Sequence, residues 1–323
     1  IDGDRIPVPP TKIIDRGPLP KHPYSQDNRP GMIAPGYSME EIDLQFMEKS
    51  LSFLEEHSKK RKKSPFFLFH SAQAVHLPSF PADQFKGKTK AGPHGDFIFE
   101  LDYIVGKLMA ALDKHGFVDN TLVIFSSDNG PEVPTVLSMR KDYNHDGARP
   151  WRGVKRDNWE GGHRVPFIAR WPGKIKPGTR SSQTLSLTDL MATFAAITNV
   201  KLPQGAGEDS VNMLPALIGS DKGKSIRKYT LHQTISLALA IRRGPWKYLD
   251  HRGSGGNNYD RSGRWGMKKY IVPEKEPEAP GQLYNLDTDP GETNNLYFKR
   301  SEIVKELKNK LEEFKKSGRS APL

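Results

Sequence analysis

The spacing of apolar residues along the chain predicts four amphipathic helices. Apolar side chains recur at intervals of three and four residues, which places them on one face of an α-helix. Ser38-Met-Glu-Glu41 has the pattern of a capping box and predicts the start of the first helix. Gly116 supplies the signal for the end of the second. The predicted helices span about residues 38–57, 96–115, 188–198 and 302–316.

Short apolar runs between these helices predict strands. The run from Leu122 to Phe125 has no polar alternation, which is typical of a strand buried on both faces in a parallel sheet. The strands predicted in this larger part of the chain lie at residues 64–70, 121–127 and 165–171. Because strands and helices alternate there, we expect an α/β fold with a mostly parallel central sheet flanked by helices.

Composition divides the chain near residues 203–228, where proline, glycine and lysine accumulate. Residues 1–215 are predicted to form the α/β domain. Residues 225–323 are predicted to form a small C-terminal α+β subdomain, in which an antiparallel sheet packs on the last helix. The strands predicted in this subdomain lie at residues 237–242, 246–250 and 282–285.

The chain of 323 residues carries a formal net charge of +11 and contains no cysteine. The positive charge suits an anionic partner, but it does not choose among nucleic acid, sulfated or phosphorylated glycans and simple solubility. No nucleic-acid-binding module is recognisable, so we expect no nucleic-acid partner. The lack of cysteine excludes disulfides and thiolate metal sites. No apolar stretch approaches the ~20 residues of a membrane span.

Asp128-Asn129-Gly130 directly follows the apolar run at residues 121–127. In α/β folds, ligands gather at the carboxyl ends of the strands. An adjacent carboxylate and amide offer the oxygen ligands that hard divalent cations prefer. The same three residues are also favourable in an ordinary turn. From these residues alone, both interpretations stay open.

Several motifs in a fixed order carry a resemblance to a known family. They are His76-Leu-Pro78, Asp128-Asn129-Gly130-Pro131, Trp151-Arg-Gly-Val-Lys155, Glu160-Gly-Gly-His-Arg-Val-Pro166, and Gly244-Pro-Trp-Lys247 followed by the segment from Gln282 to Leu296. Together they resemble the arylsulfatase-type sulfatases of the alkaline-phosphatase-like superfamily. The resemblance extends over essentially the whole chain, and it implies that residues 1–215 are part of a sulfatase catalytic domain.

The resemblance assigns roles to four residues. Asp128 and Asn129 match two ligands of the family's calcium ion, so Ca²⁺ is the expected cofactor. Lys155 matches the lysine that contacts the sulfate and the bridging ester oxygen, and His76 matches a histidine that does similar work from the opposite side. Cleavage of a sulfate ester gathers negative charge on the equatorial and leaving oxygens, which a divalent cation and fixed cationic donors stabilise.

These residues also have structural interpretations. Lys155 is alternatively a solvated surface lysine, and His76 a packed loop histidine. Segment 160–162 is interpreted as structural, because its two glycines permit backbone conformations closed to other residues. Ordinary loop roles are the expectation for four further polar residues of this region, whose roles the sequence does not decide: His145, Arg149, Arg152 and His163.

The chain departs from the family in its nucleophile. Sulfatases of this type use a formylglycine made from Cys or Ser in a Cys/Ser-x-Pro-x-Arg motif. Ser79-Phe-Pro-Ala-Asp83 has serine and proline at these offsets but aspartate where arginine is required. We therefore expect this chain to be the C-terminal portion of a sulfatase, with the formylglycine and the remaining calcium ligands in a preceding N-terminal third. Alone, the chain is expected to be inactive and to leave apolar sheet edges uncovered.

The leading functional hypothesis is a sulfuric ester hydrolase that acts on small-molecule or saccharide sulfate esters by a calcium-assisted formylglycine mechanism. One alternative is a related phosphatase or phosphonate hydrolase of the same superfamily. Such enzymes usually bind two transition metals through sets of Asp and His, whereas the strand-end pair here is Asp-Asn. The other alternative is a non-catalytic module that binds anionic glycans. The sequence identifies neither the ester, the compartment nor the oligomeric state, although the family is consistent with export.

Overall fold

The computed structural model of the chain describes residues 3–25, 30–260, 262 and 266–321. The chain divides into two compact units. The first consists of Ile1–Asp119 and Pro134–Asp146, and the second of Asn120–Val133 and Gly147–Leu323. This division differs from the one predicted between residues 1–215 and 225–323, and that boundary stays a prediction.

The first unit is mainly helical. Its elements are β1 (Lys12–Ile13), β2 (Met32–Ile33), α1 (Ile42–Lys60), α2 (Gly92–Lys114) and, from Pro134 onwards, α3 (Val133–Tyr143). Strands β1 and β2 form a short antiparallel pair. Helices α1 and α2 pack against each other, and each contributes an apolar stripe to the core. Leu54 of α1 and Ile104 of α2 are almost fully buried in it.

Helix α1 was predicted to start too early, and α3 was not predicted. α1 begins at Ile42, because Ser38 Oγ accepts the N–H of Glu40 in a bend before the helix and caps no helical residue. Residues 133–143, which form α3, lie in none of the predicted helices or strands. The prolines and glycines on either side of α3 conceal its short helical pattern.

Residues 64–70, predicted to be a strand, form no strand in the structure. Phe66 lies on the α1 side, where its ring centroid is 5.3 Å from that of His57. Phe67 and Phe69 point the other way and are 72% and 78% exposed. The apolar run predicted a buried strand, whereas two of its phenylalanines are exposed.

The C-terminal part of the second unit is a four-stranded sheet with a helix packed on it. Strands β5 (Thr230–Gln233), β6 (Leu239–Arg243), β7 (Trp246–Leu249) and β8 (Gln282–Asn285) pair in chain order, each antiparallel to the next. Helix α6 (Ser301–Ser317) packs on β6 and β7 and buries Leu307 and Leu311 completely. The three predicted strands and the last helix are confirmed, whereas β5 was not predicted.

Strands β3 (Val123–Ser126) and β4 (Phe167–Arg170) form a separate antiparallel pair in the second unit. Helices α4 (Leu190–Ile197) and α5 (Leu214–Leu217) follow them in sequence. Every ladder formed by the described residues is antiparallel, so the parallel pairing predicted for this sheet is not found there. An apolar run indicates burial, but the strand direction depends on which neighbour supplies the hydrogen bonds. None of the helices within the described residues combines the length and apolar character needed to cross a membrane.

Candidate metal and anion site

Asp128 and Asn129 lie in the loop that leaves β3, which we call the Asn129 loop (residues 127–131). The Asp128 side chain is exposed. Asn129 Nδ2 donates a hydrogen bond of 2.9 Å to the carbonyl oxygen of Gly130, which leaves Oδ1 as the acceptor of this amide. Ser127 Oγ donates to the carbonyl oxygen of Asn129 over 3.2 Å. The loop therefore offers a carboxylate and an amide oxygen from adjacent residues.

Lys155 lies in a second loop, the Lys155 loop (residues 151–157), and its side chain is 19% exposed. Its backbone N–H donates to the carbonyl oxygen of Pro131 over 2.9 Å. Its ammonium nitrogen is 3.7 Å from Glu132 Oε2, which is long for a hydrogen bond. Arg156 donates two shorter hydrogen bonds, of 2.5 and 2.9 Å, to the same carboxylate. The Lys155 ammonium therefore retains donors for an anion.

Segment 160–162 joins the two loops. Gly130 N–H donates to the carbonyl oxygen of Gly162 over 2.9 Å, and Gly161 N–H donates to that of Arg152 over 2.7 Å. A Cβ on Gly130 would overlap the carbonyl oxygen of Gly161, and a Cβ on Gly161 would overlap the backbone of the Lys155 loop. The three backbones approach each other so closely that only glycine fits at these positions.

Segment 160–162 is held in turn by a buried charge cluster, which consists of Glu160, Lys247 and Glu292. Lys247 Nζ lies 2.9 Å from Glu160 Oε1 and 3.1 Å from Glu292 Oε1, and all three side chains are at most 1% exposed. Glu292 Oε2 also accepts the backbone N–H of Glu160 over 2.6 Å. On the other oxygen of Glu160, Arg164 lies at 3.0 Å and Arg242 at 3.5 Å.

The two carboxyl groups of this cluster have pKa values shifted in opposite directions. Burial raises the pKa of Glu292 to about 7, against the attraction of Lys247. Burial acts in the same sense on Glu160, but the charge of Lys247, with that of Arg242, outweighs it and holds the pKa of Glu160 below its ordinary value. One ammonium cannot fully compensate two buried carboxylates. Glu160 has more cationic neighbours, so it is the carboxyl that stays ionised.

His163 belongs to the surroundings of this cluster. Its Nε2 lies 3.0 Å from Lys247 Nζ and 3.1 Å from the carbonyl oxygen of Asn158. The ammonium can only donate, so Nε2 is an acceptor in its contact with Lys247. Burial and the charge of Lys247 lower the pKa of His163 to about 3. Its ring stacks on that of His232 at a centroid distance of 3.7 Å, and burial also lowers the pKa of His232. Both rings are neutral and packed.

Arg152 also points into the interior of the second unit. Its guanidinium lies 3.6 Å from the ring centroid of Trp159. It donates to the carbonyl oxygen of Glu292 over 2.7 Å and to the hydroxyl of Tyr284 over 3.2 Å. The Trp159 indole N–H donates to Gln282 Oε1 over 3.2 Å. Through these contacts Arg152 connects the Lys155 loop to the C-terminal sheet, and Trp159 packs beneath its guanidinium.

His76 belongs to the first unit and is exposed there. Its Nδ1 lies 2.6 Å from the carbonyl oxygen of Leu77, so Nδ1 carries the proton and Nε2 remains for another partner. The geometry of the second unit thus joins the loops of Asp128, Asn129 and Lys155, whereas His76 is positioned by the first unit.

The loop that carries His76 is held at both ends by buried carboxylates of the helices. Asp43 of α1 accepts the N–H groups of Gln73 and Ala74 over 2.6 and 2.8 Å. Glu100 of α2 accepts the N–H of Ala82 over 2.9 Å. Burial raises the pKa of Glu100 to about 7, against the hydrogen bond from Ala82. The exposed histidine is therefore presented by a fixed loop.

Ser79, the serine of the incomplete nucleophile motif, is fully buried in the same loop. Its Oγ lies 2.8 Å from His94 Nδ1, and its N–H donates to the carbonyl oxygen of Tyr24. Burial, followed by the charge of His145, lowers the pKa of His94 to about 4. Ser79 is a packing residue, in agreement with the mismatch of its motif.

Residues 10–200 match the family model for sulfatases. This match covers more than half of the 323-residue chain. The chain belongs to the sulfatase family.

Two relatives show how much of a sulfatase this chain represents. An N-acetylgalactosamine-6-O-sulfatase of Bacteroides thetaiotaomicron is 36% identical over 270 residues, which cover 83% of this chain and 50% of that protein. Human arylsulfatase A is 33% identical over 241 residues, which cover 73% of this chain and 45% of that protein. The sulfatase chain thus spans about half the length of these relatives.

Solved sulfatase structures share its fold. One, from a study of glycosaminoglycan metabolism by Bacteroides thetaiotaomicron, superposes with a TM-score of 0.73 at 32% identity and covers 88% of this chain and 57% of that chain. A sulfatase from Pseudoalteromonas sp. superposes with a TM-score of 0.69 at 28% identity and covers 88% and 55%. The predicted fold class, α/β of the alkaline-phosphatase-like sulfatase type, is confirmed.

Membership of the sulfatase family implies a divalent metal cation. The exposed Asp128 carboxylate and the Asn129 Oδ1 fit such an ion by their donor chemistry. Within the described residues, no group of three or more His, Cys, Asp or Glu is arranged to hold a metal.

The roles of Lys247 and Glu292 were not predicted from the sequence. Both lie in motifs that carry the resemblance, but neither had a chemical task. The signal that identifies Lys247 is its place between Trp246 and Tyr248 in a short strand covered on both faces. A lysine at such a position needs a buried anionic partner. The sequence could not identify the partners, because they lie 87 and 45 residues away.

Proposed function

We propose that this chain supplies the metal- and sulfate-binding corner of a calcium-assisted sulfuric ester hydrolase. The observation that carries the proposal is the connection of the Asn129 loop to the Lys155 loop through segment 160–162. It holds oxygen donors for a cation and an ammonium for an anion on one close-packed backbone. Cleavage of a sulfate ester needs both, because negative charge develops on the sulfate oxygens and on the leaving oxygen.

Each side chain has a defined task in this proposal. The oxygens of Asp128 and Asn129 hold Ca²⁺, which supplies positive charge to the sulfate oxygens when it is bound. The Lys155 ammonium donates hydrogen bonds to the sulfate and to the bridging ester oxygen. His76, assigned by the resemblance, donates from Nε2 in its protonated form and gives a proton to the leaving oxygen when the sulfur–oxygen bond breaks.

The nucleophile is not among the residues of this chain. The chain contains no cysteine, and Ser79 is buried against His94 in a sequence without the required arginine. The formylglycine mechanism is therefore proposed for a complete protein that supplies this group. The 323-residue chain alone is expected to have no turnover.

Sulfated saccharides are the substrate class that we propose. One of the relatives with the highest identity is named for a sulfated amino sugar, as an N-acetylgalactosamine-6-O-sulfatase. The net charge of +11 also favours the approach of a polyanionic saccharide.

The test compares esters with the complete protein encoded by the gene. An aryl sulfate, N-acetylgalactosamine 6-sulfate and an aryl phosphate are assayed with Ca²⁺ and after chelation. We expect hydrolysis of the sulfates at a rate about 100-fold above that of the phosphate, and loss of this activity on chelation. The Lys155→Met protein, purified in parallel, controls for contaminating sulfatases.

Two results would overturn this proposal. One is preferential hydrolysis of the phosphate with Zn²⁺ or Mn²⁺, which indicates the related phosphatase. The other is retention of a sulfated saccharide without turnover by the complete protein, which indicates a binding module. Turnover by the 323-residue chain itself would contradict only the assignment of the nucleophile to another part of the protein.

A further inference from the structure

The buried charge cluster connects three segments that are distant in sequence. Glu160 lies 87 residues before Lys247 and 132 residues before Glu292. Lys247 is fully buried in β7, between the two carboxylates. Burying charges is costly even when they are paired, and apolar side chains of the same volume often stabilise a core as well or better. The cluster therefore calls for a role other than stability.

A short path of contacts leads from this cluster to the candidate site. Glu292 accepts the backbone N–H of Glu160 over 2.6 Å. The next residue, Gly161, donates to the carbonyl oxygen of Arg152 over 2.7 Å, and Gly162 accepts from Gly130 over 2.9 Å. The path consists of backbone groups and buried side chains. The position of segment 160–162 therefore determines the positions of the Asn129 loop and the Lys155 loop.

A second path ends at the same loop. The guanidinium of Arg152 donates over 2.7 Å to the carbonyl oxygen of Glu292, the residue whose side chain holds Glu160. Glu292 therefore fixes the Lys155 loop through its backbone and segment 160–162 through its carboxylate.

We propose that Lys247 and Glu292 are positioning residues for the metal- and sulfate-binding corner. They act through Glu160 and segment 160–162, and they hold the Asn129 loop and the Lys155 loop at a fixed spacing. The inference rests on the proposed function only for its catalytic consequence. The positional consequence concerns the backbone and is measurable whatever the substrate is.

The main experiment is hydrogen–deuterium exchange on the complete protein, read by mass spectrometry. The test variant is Lys247→Met, which keeps the length of the side chain and removes the charge. The control is Lys315→Met, which removes an ion-paired lysine on the exposed side of α6. In Lys247→Met, we expect hydrogen exchange to be about tenfold faster in peptides covering residues 128–133 and 151–162. In the Lys315→Met control, we expect exchange in these peptides at the wild-type rate.

A second variant covers the case in which Lys247→Met does not fold. Lys247→Met/Glu292→Gln removes the ammonium together with the carboxyl group 3.1 Å from it, while Glu160 keeps Arg164 and Arg242 as cationic neighbours. We expect this variant to fold and still to show faster exchange in the two peptides. Wild-type exchange rates there in a folded variant would overturn the proposal.

Steady-state kinetics on an aryl sulfate provide the catalytic readout. If Lys247→Met loses the fixed spacing of the two loops, we expect kcat to fall and the Ca²⁺ concentration for half-maximal activity to rise, each by about tenfold. The circular dichroism spectrum at the assay temperature should stay unchanged. A role in stability alone would lower the melting temperature but leave the kcat of the folded protein unchanged, and this result would overturn the proposal. Absence of turnover in the wild-type protein would contradict the proposed function, and the exchange measurement would still decide the role of Lys247.

Discussion

The backbone N–H of Gly130 donates to the carbonyl oxygen of Gly162 over 2.9 Å. This bond joins the loop that carries the candidate metal ligands to the segment held by Lys247. The bond can form at this length only because residue 130 is a glycine, since a Cβ there would overlap the carbonyl oxygen of Gly161.

Replacing Gly161 by alanine tests this close approach. The added methyl would meet the backbone of the Lys155 loop, so Gly161→Ala is expected to destabilise the chain by about 1–3 kcal/mol. Urea denaturation measures the free energy of unfolding. The matched control is Gly106→Ala in α2, where a Cβ meets no atom. Alanine there favours the helix and should stabilise the chain by about 0.5–1 kcal/mol. Equal effects of the two substitutions would contradict the packing argument.

Asp128→Asn tests the candidate metal ligand. It removes one negative charge from an exposed side chain, so the fold is expected to be unchanged. We expect the Ca²⁺ concentration for half-maximal activity of the complete protein to rise by about tenfold or more, because calcium affinity depends on the charge of its ligands. Asp287→Asn, another exposed carboxylate of the second unit, controls for a general effect of surface charge. An unchanged calcium dependence would rule Asp128 out as a ligand.

Lys155→Met tests the proposed contact with the sulfate. Removal of one charged donor to a developing oxyanion is expected to lower kcat by about 10²–10³. The comparison is Lys174→Met, since Lys174 is an exposed lysine of the same unit. Steady-state kinetics on an aryl sulfate measure both. A rise in KM at unchanged kcat would instead indicate a contact made equally in the ground state and the transition state.

Glu100 is expected to make stability depend on pH. Burial raises its pKa from the ordinary value of 4.5 to about 7, so the folded chain retains a proton that the unfolded chain releases. The contribution of Glu100 to the free energy of unfolding should therefore be greatest below about pH 4.5 and fall by about 3 kcal/mol as the pH rises to about 7. Asp43 and Glu41 act in the same sense on this carboxyl.

Glu100→Gln should remove the part of this pH dependence that Glu100 contributes, because it keeps the acceptor for the Ala82 N–H and cannot ionise. Buried Glu292, whose pKa is also raised to about 7, should leave a residual slope of the same sign. Urea denaturation of both chains between pH 5 and pH 8 measures the difference. The control is Glu48→Gln on the exposed side of α1. If Glu100→Gln keeps the slope of the parent chain, another group is responsible for it.

Local patterns predicted most of the helices and strands, because each depends on residues close together in sequence. The helices near residues 96–115, 188–198 and 302–316 and the strands at 121–127 and 165–171 are found near their predicted positions. The strand predicted at residues 64–70 was wrong, because an apolar run does not show how many of its faces pack against a neighbour. Strand direction failed for a similar reason, since it depends on the hydrogen-bonding neighbour.

The sequence by itself determined the family and the candidate residues, because the order of the short motifs can be read from the sequence without any knowledge of contacts. It also determined that no Cys/Ser-x-Pro-x-Arg motif occurs among the 323 residues, since the chain has no cysteine and Asp83 replaces the arginine after Ser79-Phe-Pro. Only the tertiary structure decided that Glu160, Lys247 and Glu292 form one buried charge cluster, that Arg152 and His163 are packed around it, and that Ser79 is a core residue. These facts depend on contacts between residues far apart in the chain. A buried charge without a partner is strongly destabilising, so the folded state pairs these residues although the sequence separates them.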